Sequence, residues 1–244
     1  MQLTLNFVRG AIEKYDMIQH KDRIAIGVSG GKDSMMLLYG MARMKKILME
    51  YFDLTALTVD PCFGGKPTDY SEVQALCKEL KIPYVIRRTR LAEIIFEERK
   101  EKNPCSLCSK MRRGILHNMA VEAGCNKIAL GHHYDDAAET IFLNLFYGGR
   151  FSCFSPKTYL SKKNIWVIRP MIYCSELSLA EAAKRNNLPI VQSSCPADGN
   201  TQRQYAKDFL AEMQHKIPWI KDNLVGAMER GELCGWKKDS EPKP

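Results

Sequence analysis

One short segment constrains the fold of this chain more than any other. Residues 29–34 read Ser-Gly-Gly-Lys-Asp-Ser, follow the apolar run 24–28 and precede the helix-patterned stretch 35–41. A buried strand, a tight glycine turn and a helix N-terminus bring several free backbone N–H groups around one small volume. The sequence therefore predicts an anion site, and a phosphate group is the expected occupant.

The residue types within this turn support a phosphate site. Gly30 and Gly31 let the backbone approach phosphate oxygens, and Lys32 supplies a mobile positive charge beside the Ser29 and Ser34 hydroxyls. Asp33 is expected either to bind magnesium or to cap the helix, because a carboxylate beside phosphates is otherwise unfavourable. A Walker A loop is excluded, since it needs a glycine where Ile26 stands.

Strand-like and helical segments alternate along the chain. This alternation predicts an α/β fold with a doubly wound, mainly parallel sheet. We expect one domain over residues 1–236, with an N-terminal helix at 2–19, a C-terminal helical region at 200–230 and a disordered tail at 237–244. Strands are expected at 24–28, 54–60, 82–86, 126–130 and 165–170.

Composition limits the class of protein and its partners. The 244 residues include 36 Lys and Arg against 28 Asp and Glu, a formal charge of +8 that favours an anionic partner such as RNA. Nine cysteines, an odd number, favour reduced thiols or metal ligands over a disulfide framework. No membrane-spanning run or signal peptide is recognisable, so we expect no membrane association and a cytoplasmic protein.

Polar residues follow two other predicted strands. Asp60 ends one strand before Pro61, where it could contact the nucleotide or its ribose, or initiate a turn. Residues 131–136 read Gly-His-His-Tyr-Asp-Asp at the end of another strand. Asp135 and Asp136 could take part in the site or cap the following helix. The adjacent histidines point to opposite faces, so they are not expected to share a metal.

Two cysteines form the second centre of the chain. Cys105 and Cys108 lie three residues apart at the predicted start of a helix, a spacing that lets both thiols bind one metal. One such pair cannot complete a tetrahedral site, and the chain has no second C-x-x-C, which weakens a zinc-ribbon interpretation. A redox-active cysteine pair remains an alternative interpretation, but the sequence lacks the fold context in which thioredoxin carries such a pair.

Taken together, these motifs resemble those of the tRNA 2-thiocytidine synthetase (TtcA) family of PP-loop ATP pyrophosphatases. The resemblance spans roughly residues 20–215 and rests on several motifs in one order. They are Ser29 to Ser34, P-C-S-L-C at 104–108, R-R-G-I-L at 112–116, G-H-H-Y-D-D at 131–136, L-N-L-F-Y-G-G at 143–149, V-I-R-P at 167–170 and N-T-Q-R at 200–203.

The resemblance implies a fold, a cofactor and a reaction. The fold is the PP-loop (HUP-like, Rossmann-like) α/β sandwich, and Cys105, Cys108 and Cys195 would hold a [4Fe-4S] cluster with one open iron. The reaction replaces the 2-oxo group of a cytidine in the tRNA anticodon loop by sulfur, with ATP as co-substrate and Mg²⁺. Lys32, Asp33, Asp135 and Asp136 are the implied catalytic residues. The expected ATP-binding residues are Ser29, Gly30, Gly31, Lys32, Asp33, Ser34, Asp60 and Gly131.

The implied partners are tRNA, a sulfur donor such as a cysteine desulfurase or inorganic sulfide, and a second copy in a homodimer. Three departures from the family pattern leave the substrate open: Tyr134, the run 150–155, and the segment 192–194, where a further cysteine is common just before Cys195. The alternatives are a PP-loop enzyme that adenylates another tRNA nucleotide, giving 2-thiouridine, or a small molecule. A non-catalytic zinc- or nucleotide-binding regulator is a third hypothesis.

Overall fold

The strands form one six-stranded sheet in the order β3-β2-β1-β4-β6-β5. The computed structural model describes residues 2–48, 52–100, 104–197, 202–231 and 233–236. Five strands run parallel, and β5 pairs antiparallel with β6 at one edge. The strands are β1 (Arg23–Gly27), β2 (Asp53–Asp60), β3 (Tyr84–Arg88), β4 (Lys127–Ala129), β5 (Lys157–Leu160) and β6 (Ile165–Ile168).

Helices cover both faces of this sheet, as the doubly wound prediction requires. They are α1 (Gln2–Lys14), α2 (Lys32–Ile47), α3 (Ser71–Glu79), α4 (Pro104–Glu122), α5 (Tyr134–Phe146), α6 (Glu176–Arg185), α7 (Gln202–Lys216) and α8 (Ile220–Arg230). The larger core contains side chains of α1, α2, α3 and α6, whereas a second core holds α4 against the other face. Burial on two faces explains the continuous apolar runs Ile24–Ile26 and Ala56–Leu57.

The order of the strands places the predicted motifs side by side. From β1 the chain passes to β2 and β3 on one side and then crosses to β4 on the other, so the winding reverses between β1 and β4. Ligands of such sheets bind at this reversal, beyond the carboxyl ends of the strands. The turn 29–34 follows β1 and the segment 131–136 follows β4, so the two meet there.

Some predicted boundaries differ from the structure. The N-terminal helix ends at Lys14 rather than at residue 19, because Asp16 adopts a left-handed φ of 45°. Strand β5 was not predicted, since its four residues are all half-buried and show no alternation between two faces. The C-terminal helical region is divided into α7 and α8, and the tail 237–244 lies outside the described residues.

Among the helices of the described ranges, none combines the length and the apolar character that a membrane crossing requires.

Candidate active site

The turn after β1 is held in shape by its own hydroxyl groups. The Ser29 backbone N–H and the Ser29 hydroxyl both donate to the Ser34 hydroxyl oxygen, each at 3.1 Å. The Ser34 hydroxyl in turn donates to the Gly31 carbonyl oxygen at 2.8 Å, and the Gly31 N–H donates to the Ser29 hydroxyl. The loop therefore has a fixed geometry at the N-terminus of α2 before any ligand binds.

Gly30 joins this loop to a distant segment of the chain. Its φ of +86° lies in the left-handed region, and a Cβ there would stand 2.7 Å from the Val191 Cβ atom. The Val191 N–H donates to the Gly30 carbonyl oxygen at 3.0 Å. Only glycine fits this position without displacing its neighbours. The loop 188–197, which carries Cys195, is thereby fastened directly to the phosphate turn.

Lys32 lies between two carboxylates. Its Nζ atom is 3.0 Å from the Asp33 Oδ1 atom and 3.1 Å from the Glu176 Oε1 atom. Burial lowers the pKa of Lys32, but these two carboxylates more than offset that effect and raise it. Burial likewise opposes ionisation of Glu176, yet hydrogen bonds from Lys207 and Lys32 lower its pKa to about 2. The lysine is therefore charged, as a phosphate ligand must be.

The second acidic segment surrounds His133. The Asp136 N–H donates to His133 Nδ1 and the His133 N–H donates to Asp136, which together form the capping box of α5. The nearest oxygens of Asp33, Asp135 and Asp136 lie 3.8, 3.8 and 3.5 Å from ring nitrogens of His133. Three carboxylates thus converge beside the phosphate turn. Asp136 completes the capping box of α5. The N-cap of α2 is Gly31, which has no side chain, and the Asp33 carboxylate accepts a hydrogen bond from the Lys32 ammonium.

Asp135 is engaged by two later elements. It is buried, accepts the Glu176 N–H at 2.7 Å and pairs with Lys221 of α8 at 2.6 Å. Burial raises the pKa of Asp135, but the Lys221 and Glu176 hydrogen bonds outweigh it and lower the pKa. Asp135 therefore stays ionised and ties the C-terminal helices to this edge of the sheet.

Several site residues were missed by sequence reasoning. Glu176, Lys207 and Lys221 lie on helices far along the chain and belong to none of the recognised motifs. Arg203 closes the N-T-Q-R motif and contacts both Asp136 and Glu139 at 3.0 Å. The N-T-Q-R motif was the one sequence pattern that indicated any of these residues. Glu176, Lys207 and Lys221 reach the site only because their helices pack against it.

Two predicted ATP contacts have other partners in the structure. Asp60 is fully buried, and its carboxylate accepts hydrogen bonds from the Cys62 N–H and from the N–H and hydroxyl of Thr68. This geometry favours the turn-stabilising alternative for Asp60, and a contact with the nucleotide stays a prediction. At Gly131 a Cβ would stand 3.3 Å from the Asp33 carbonyl carbon, so this glycine allows close packing against the turn.

A cavity of about 290 Å³ opens between the phosphate turn and α4. Its apolar floor comes from the ends of β1 and β2, and Ser29, Arg112 and His132 contribute polar groups. Among the residues that the structure describes, the buried Nε atom of Arg112 and Nδ1 atom of His132 have no hydrogen-bond partner. Burial is the main cause that lowers the pKa of His132 to about 3, and nearby cations also lower it. The imidazole is therefore neutral. Unpaired buried polar atoms beside a cavity are typical of a ligand site.

The residues that depart from the family pattern make specific contacts in the structure. The Tyr134 hydroxyl donates to Asp222 of α8. In the run 150–155, the Cys153 thiol donates to the Ala137 carbonyl oxygen at 3.6 Å, and the Phe154 ring lies 4.9 Å from the His132 ring. These side chains support α5 and one wall of the cavity.

The three cysteines of the predicted cluster lie near one another. Cys108 is buried, Cys195 is half-buried and Cys105 is exposed, and all three are free thiols. Burial raises the pKa of Cys108, Arg112 lowers it, and both Cys195 and Cys105 act on it electrostatically. The fold therefore brings Cys195 to the pair at the start of α4, across 87 residues of chain, since 195 − 108 = 87.

The donor set fits an iron–sulfur cluster better than a single ion. Within the described part of the chain, no group of three or more His, Cys, Asp or Glu side chains is arranged to hold one metal ion. A [4Fe-4S] cluster places each thiolate on a different iron, so its ligands need not converge on one point. Three soft sulfur donors with a nearby guanidinium suit such a cluster.

Comparison with known proteins identifies the family. A family model described as a PP-loop domain matches residues 4–222. The tRNA-cytidine(32) 2-sulfurtransferase of Syntrophotalea carbinolica is 39% identical over 221 residues, which are 89% of this chain and 85% of that protein. The chain belongs to the tRNA-cytidine(32) 2-sulfurtransferase family of PP-loop proteins.

A further relative and a solved structure agree with this assignment. The tRNA-cytidine(32) 2-sulfurtransferase of Geobacter metallireducens is 35% identical over 226 residues, 91% of this chain and 87% of that protein. Among solved structures, the U34-tRNA thiolase NcsA of Methanococcus maripaludis with its [4Fe-4S] cluster aligns with a TM-score of 0.73 and 25% identity. The alignment covers 92% of this chain and 77% of that one. The recognised family and the PP-loop α/β fold are both confirmed.

Proposed function

We propose that this protein is an ATP-dependent tRNA sulfurtransferase that replaces the 2-oxo group of cytidine 32 by sulfur. The names of the relatives supply the reaction and the nucleotide. The observation that carries the proposal is the hydrogen bond between Val191 and Gly30, which fastens the loop bearing Cys195 to the phosphate turn. A phosphate site and a sulfur-binding site thus share one edge of the sheet, as a coupled reaction requires.

The phosphate turn is assigned to ATP. The N–H groups at the start of α2 and the Lys32 ammonium would bind the β- and γ-phosphates, because anions are stabilised at a helix N-terminus. Glu176 already neutralises Lys32 and is itself bonded to Lys207. Arrival of the phosphates would leave Glu176 paired with Lys207 alone. The cavity beside Ser29, Arg112 and His132 has the apolar floor that an adenine ring would need.

Among the acidic residues, Asp33 is the best candidate for magnesium. Its contacts are with Lys32 and, more distantly, with His133. Asp135 is committed to Lys221 and Glu176, and Asp136 to its capping box and Arg203. We therefore assign the magnesium of the nucleotide to Asp33, and the two other carboxylates to holding His133, α7 and α8 in place.

The chemistry divides into two steps. First, the 2-oxo oxygen of the cytosine attacks the α-phosphate of ATP, which forms an adenylated base and releases pyrophosphate. Then a sulfur nucleophile attacks the activated carbon, and AMP leaves with the original oxygen. Adenylation is needed because a carbonyl oxygen is otherwise a poor leaving group. Lys32 would stabilise the charge on the leaving pyrophosphate.

We assign Cys105, Cys108 and Cys195 to a [4Fe-4S] cluster, the cofactor that the NcsA structure contains. Held by these three cysteines, the cluster would keep one iron without a protein ligand, a position that could carry the incoming sulfur. Arg112 contributes to this half of the site by stabilising the thiolate form of Cys108.

The partners of the proposed reaction follow from its chemistry. Unmodified tRNA is the substrate, and either a cysteine desulfurase or inorganic sulfide provides the sulfur. A cytoplasmic location and a homodimer also belong to this proposal. Gel filtration with light scattering measures the oligomeric state directly, and a monomer at assay concentrations would remove the homodimer from the account.

The test is an anaerobic assay with the reconstituted protein, ATP, sulfide and an unmodified tRNA transcript. Mass spectrometry of the digested nucleosides should find 2-thiocytidine, and a transcript with cytidine 32 changed to uridine should yield none. Formation of 2-thiouridine would move the substrate to another nucleotide. AMP and pyrophosphate formation with a small molecule but not with tRNA would replace the proposal by small-molecule adenylation.

A further inference from the structure

The outer face of α4 is basic and lacks acidic residues over most of its length. Residues 104–121 contain no Asp or Glu, and Lys110, Arg113, Gly114, His117 and Asn118 follow one another at the spacing of a single helix face. Lys110, Arg113, Gly114 and Asn118 are exposed. This stripe begins two residues after Cys108 and runs away from the site.

A second basic segment packs beside this stripe. Residues 140–175 also contain no Asp or Glu, and within them the turn Ser161–Lys163 lies against α4. Lys162 and Lys163 are exposed, and in the described part of the chain neither pairs with a carboxylate, nor does Lys110. By contrast, Arg87, Arg90 and Arg185 on other surfaces each contact a glutamate. The positive charge beside α4 is therefore not neutralised within the described structure.

The pKa of His117 reflects the same positive charge beside α4. Burial lowers the pKa of His117, and the charged groups that lower it further are the cations Arg113, Lys163 and Arg169. These belong to α4, to the 161–163 turn and to the end of β6. Arg169 is buried, whereas Arg113 and Lys163 are exposed on α4 and on the turn. Two surface elements thus place positive charge beside one side chain, which suits an anionic partner.

A groove runs between the two segments, and its floor is an exposed glycine. The groove has a volume of about 410 Å³ and is lined by Met111, Gly114, Ile115, Asn118 and Lys163. A Cβ at Gly114 would meet no atom within 4 Å. Packing therefore does not require glycine there, although glycine costs an interior helix position stability relative to alanine. A small residue at this point leaves the helix backbone open to close approach.

We propose that the groove between α4 and the 161–163 turn binds the phosphate backbone of the substrate tRNA. This proposal rests on the proposed function, because it assigns the surface by which that substrate is held. Phosphates would lie against Lys162, Lys163 and Lys110, with the sugar–phosphate chain passing over Gly114. Such contacts position the RNA without reading its sequence. The stripe starts beside the cysteines, so RNA bound along it would place an unpaired base near the cavity.

The experiment measures binding of an unmodified tRNA transcript to the full-length reconstituted protein at several salt concentrations. In the variant K162A/K163A, the affinity should fall about tenfold at low salt, and the slope of log affinity against log salt should shrink by about 2. The matched control is Lys184→Ala, an exposed lysine in the last turn of α6. In this control, the slope of log affinity against log salt should change by much less than the loss of one phosphate contact would change it.

A second variant separates binding from folding. Gly114→Gln adds a long neutral side chain with good helix propensity, so the melting temperature should rise by about 2 °C. The tRNA affinity should nevertheless fall about fivefold, because the groove floor is blocked. Adenine nucleotide binding, measured separately, should stay unchanged in both variants.

The outcomes distinguish this inference from the function on which it rests. Wild-type protein that thiolates tRNA, together with variants that keep the wild-type affinity and salt slope, would overturn the groove alone. Wild-type protein that neither binds nor thiolates tRNA would overturn both proposals. A Gly114→Gln variant that loses stability together with affinity would point to a structural role for Gly114 and contradict the assignment of the groove floor.

Discussion

The two halves of the site differ in how much of their structure is present before a ligand binds. In the nucleotide half, Ser34 and Asp135 are buried, and hydrogen bonds link the turn, α5, α6 and α8. In the thiol half, Cys105 is exposed, and the Cys195 N–H donates to the Ser193 hydroxyl, two residues away in the same loop. The first half is preorganised by the protein, whereas we propose that the second is ordered by the cluster assigned to it.

The largest effect should come from the nucleotide half. Lys32→Ala removes the cation that binds the leaving pyrophosphate, so AMP formation should fall by at least about 100-fold. Iron and sulfide content should stay at the wild-type level, because Lys32 pairs with Asp33 and Glu176 and not with the thiol half. The measurement pairs an AMP assay with metal analysis, and Lys78→Ala on α3 is the control. Loss of iron in Lys32→Ala would show that the halves are not independent.

The converse experiment changes the thiol half. Cys108→Ser should remove most of the bound iron, about four atoms per chain in wild type, and abolish thiolation. Adenine nucleotide affinity, measured by calorimetry, should remain within about twofold of wild type, because no bond of the phosphate turn involves Cys108. Cys234→Ser, which changes an exposed cysteine near the C-terminus, should keep both properties. A large loss of nucleotide affinity in Cys108→Ser would contradict the division of the site into a nucleotide half and a thiol half.

The junction between the halves should be sensitive to a single methyl group. Gly30→Ala meets a left-handed φ and the Val191 side chain, so the free energy of unfolding should fall by about 1–3 kcal/mol. Both nucleotide affinity and iron content should decline. Gly40→Ala, in the interior of α2 with no atom within 4 Å of the new Cβ, should be neutral or stabilising by up to about 1 kcal/mol. Denaturant unfolding of both variants measures the difference.

The smallest effect concerns pH. The folded-state pKa of Glu176 lies below its ordinary value, so its pairing with Lys32 and Lys207 stabilises the fold above about pH 4.5. This stability is lost as the pH falls towards 2. Glu176→Gln should therefore be less stable than wild type at neutral pH, with the difference closing in acid. Urea unfolding at several pH values checks this, and a difference that grows in acid would have the wrong sign.

The preorganised half was also the part that the sequence predicted best. Residues 29–34 form a local strand–turn–helix unit, so their spacing alone defined the phosphate turn. The contribution of Glu176, Lys207 and Lys221 could not be predicted, because it arises where helices distant in sequence pack together. Asp60 illustrates the limit of positional reasoning. It stands at the carboxyl end of its strand as expected, yet its oxygens bind the loop that follows.

The thiol half was predicted by a different route. The spacing of Cys105 and Cys108 indicated a metal site but left the remaining ligand open, since no local pattern connects them to Cys195. The family resemblance supplied that residue, and the fold brings it near the pair through the contact between Val191 and Gly30. The edge strand β5 was missed for a physical reason as well, because four half-buried residues carry no periodic signal.

The central claim is that both halves act on one atom, the 2-oxo oxygen of the target cytidine. The most direct measurement uses tRNA that carries ¹⁸O at this position, with mass spectrometry of the AMP formed. The account predicts one ¹⁸O-labelled AMP for each 2-thiocytidine, because the oxygen that attacks the α-phosphate leaves with it. Unlabelled AMP, with the label released to water, would contradict adenylation of the base and with it the coupling of the two halves.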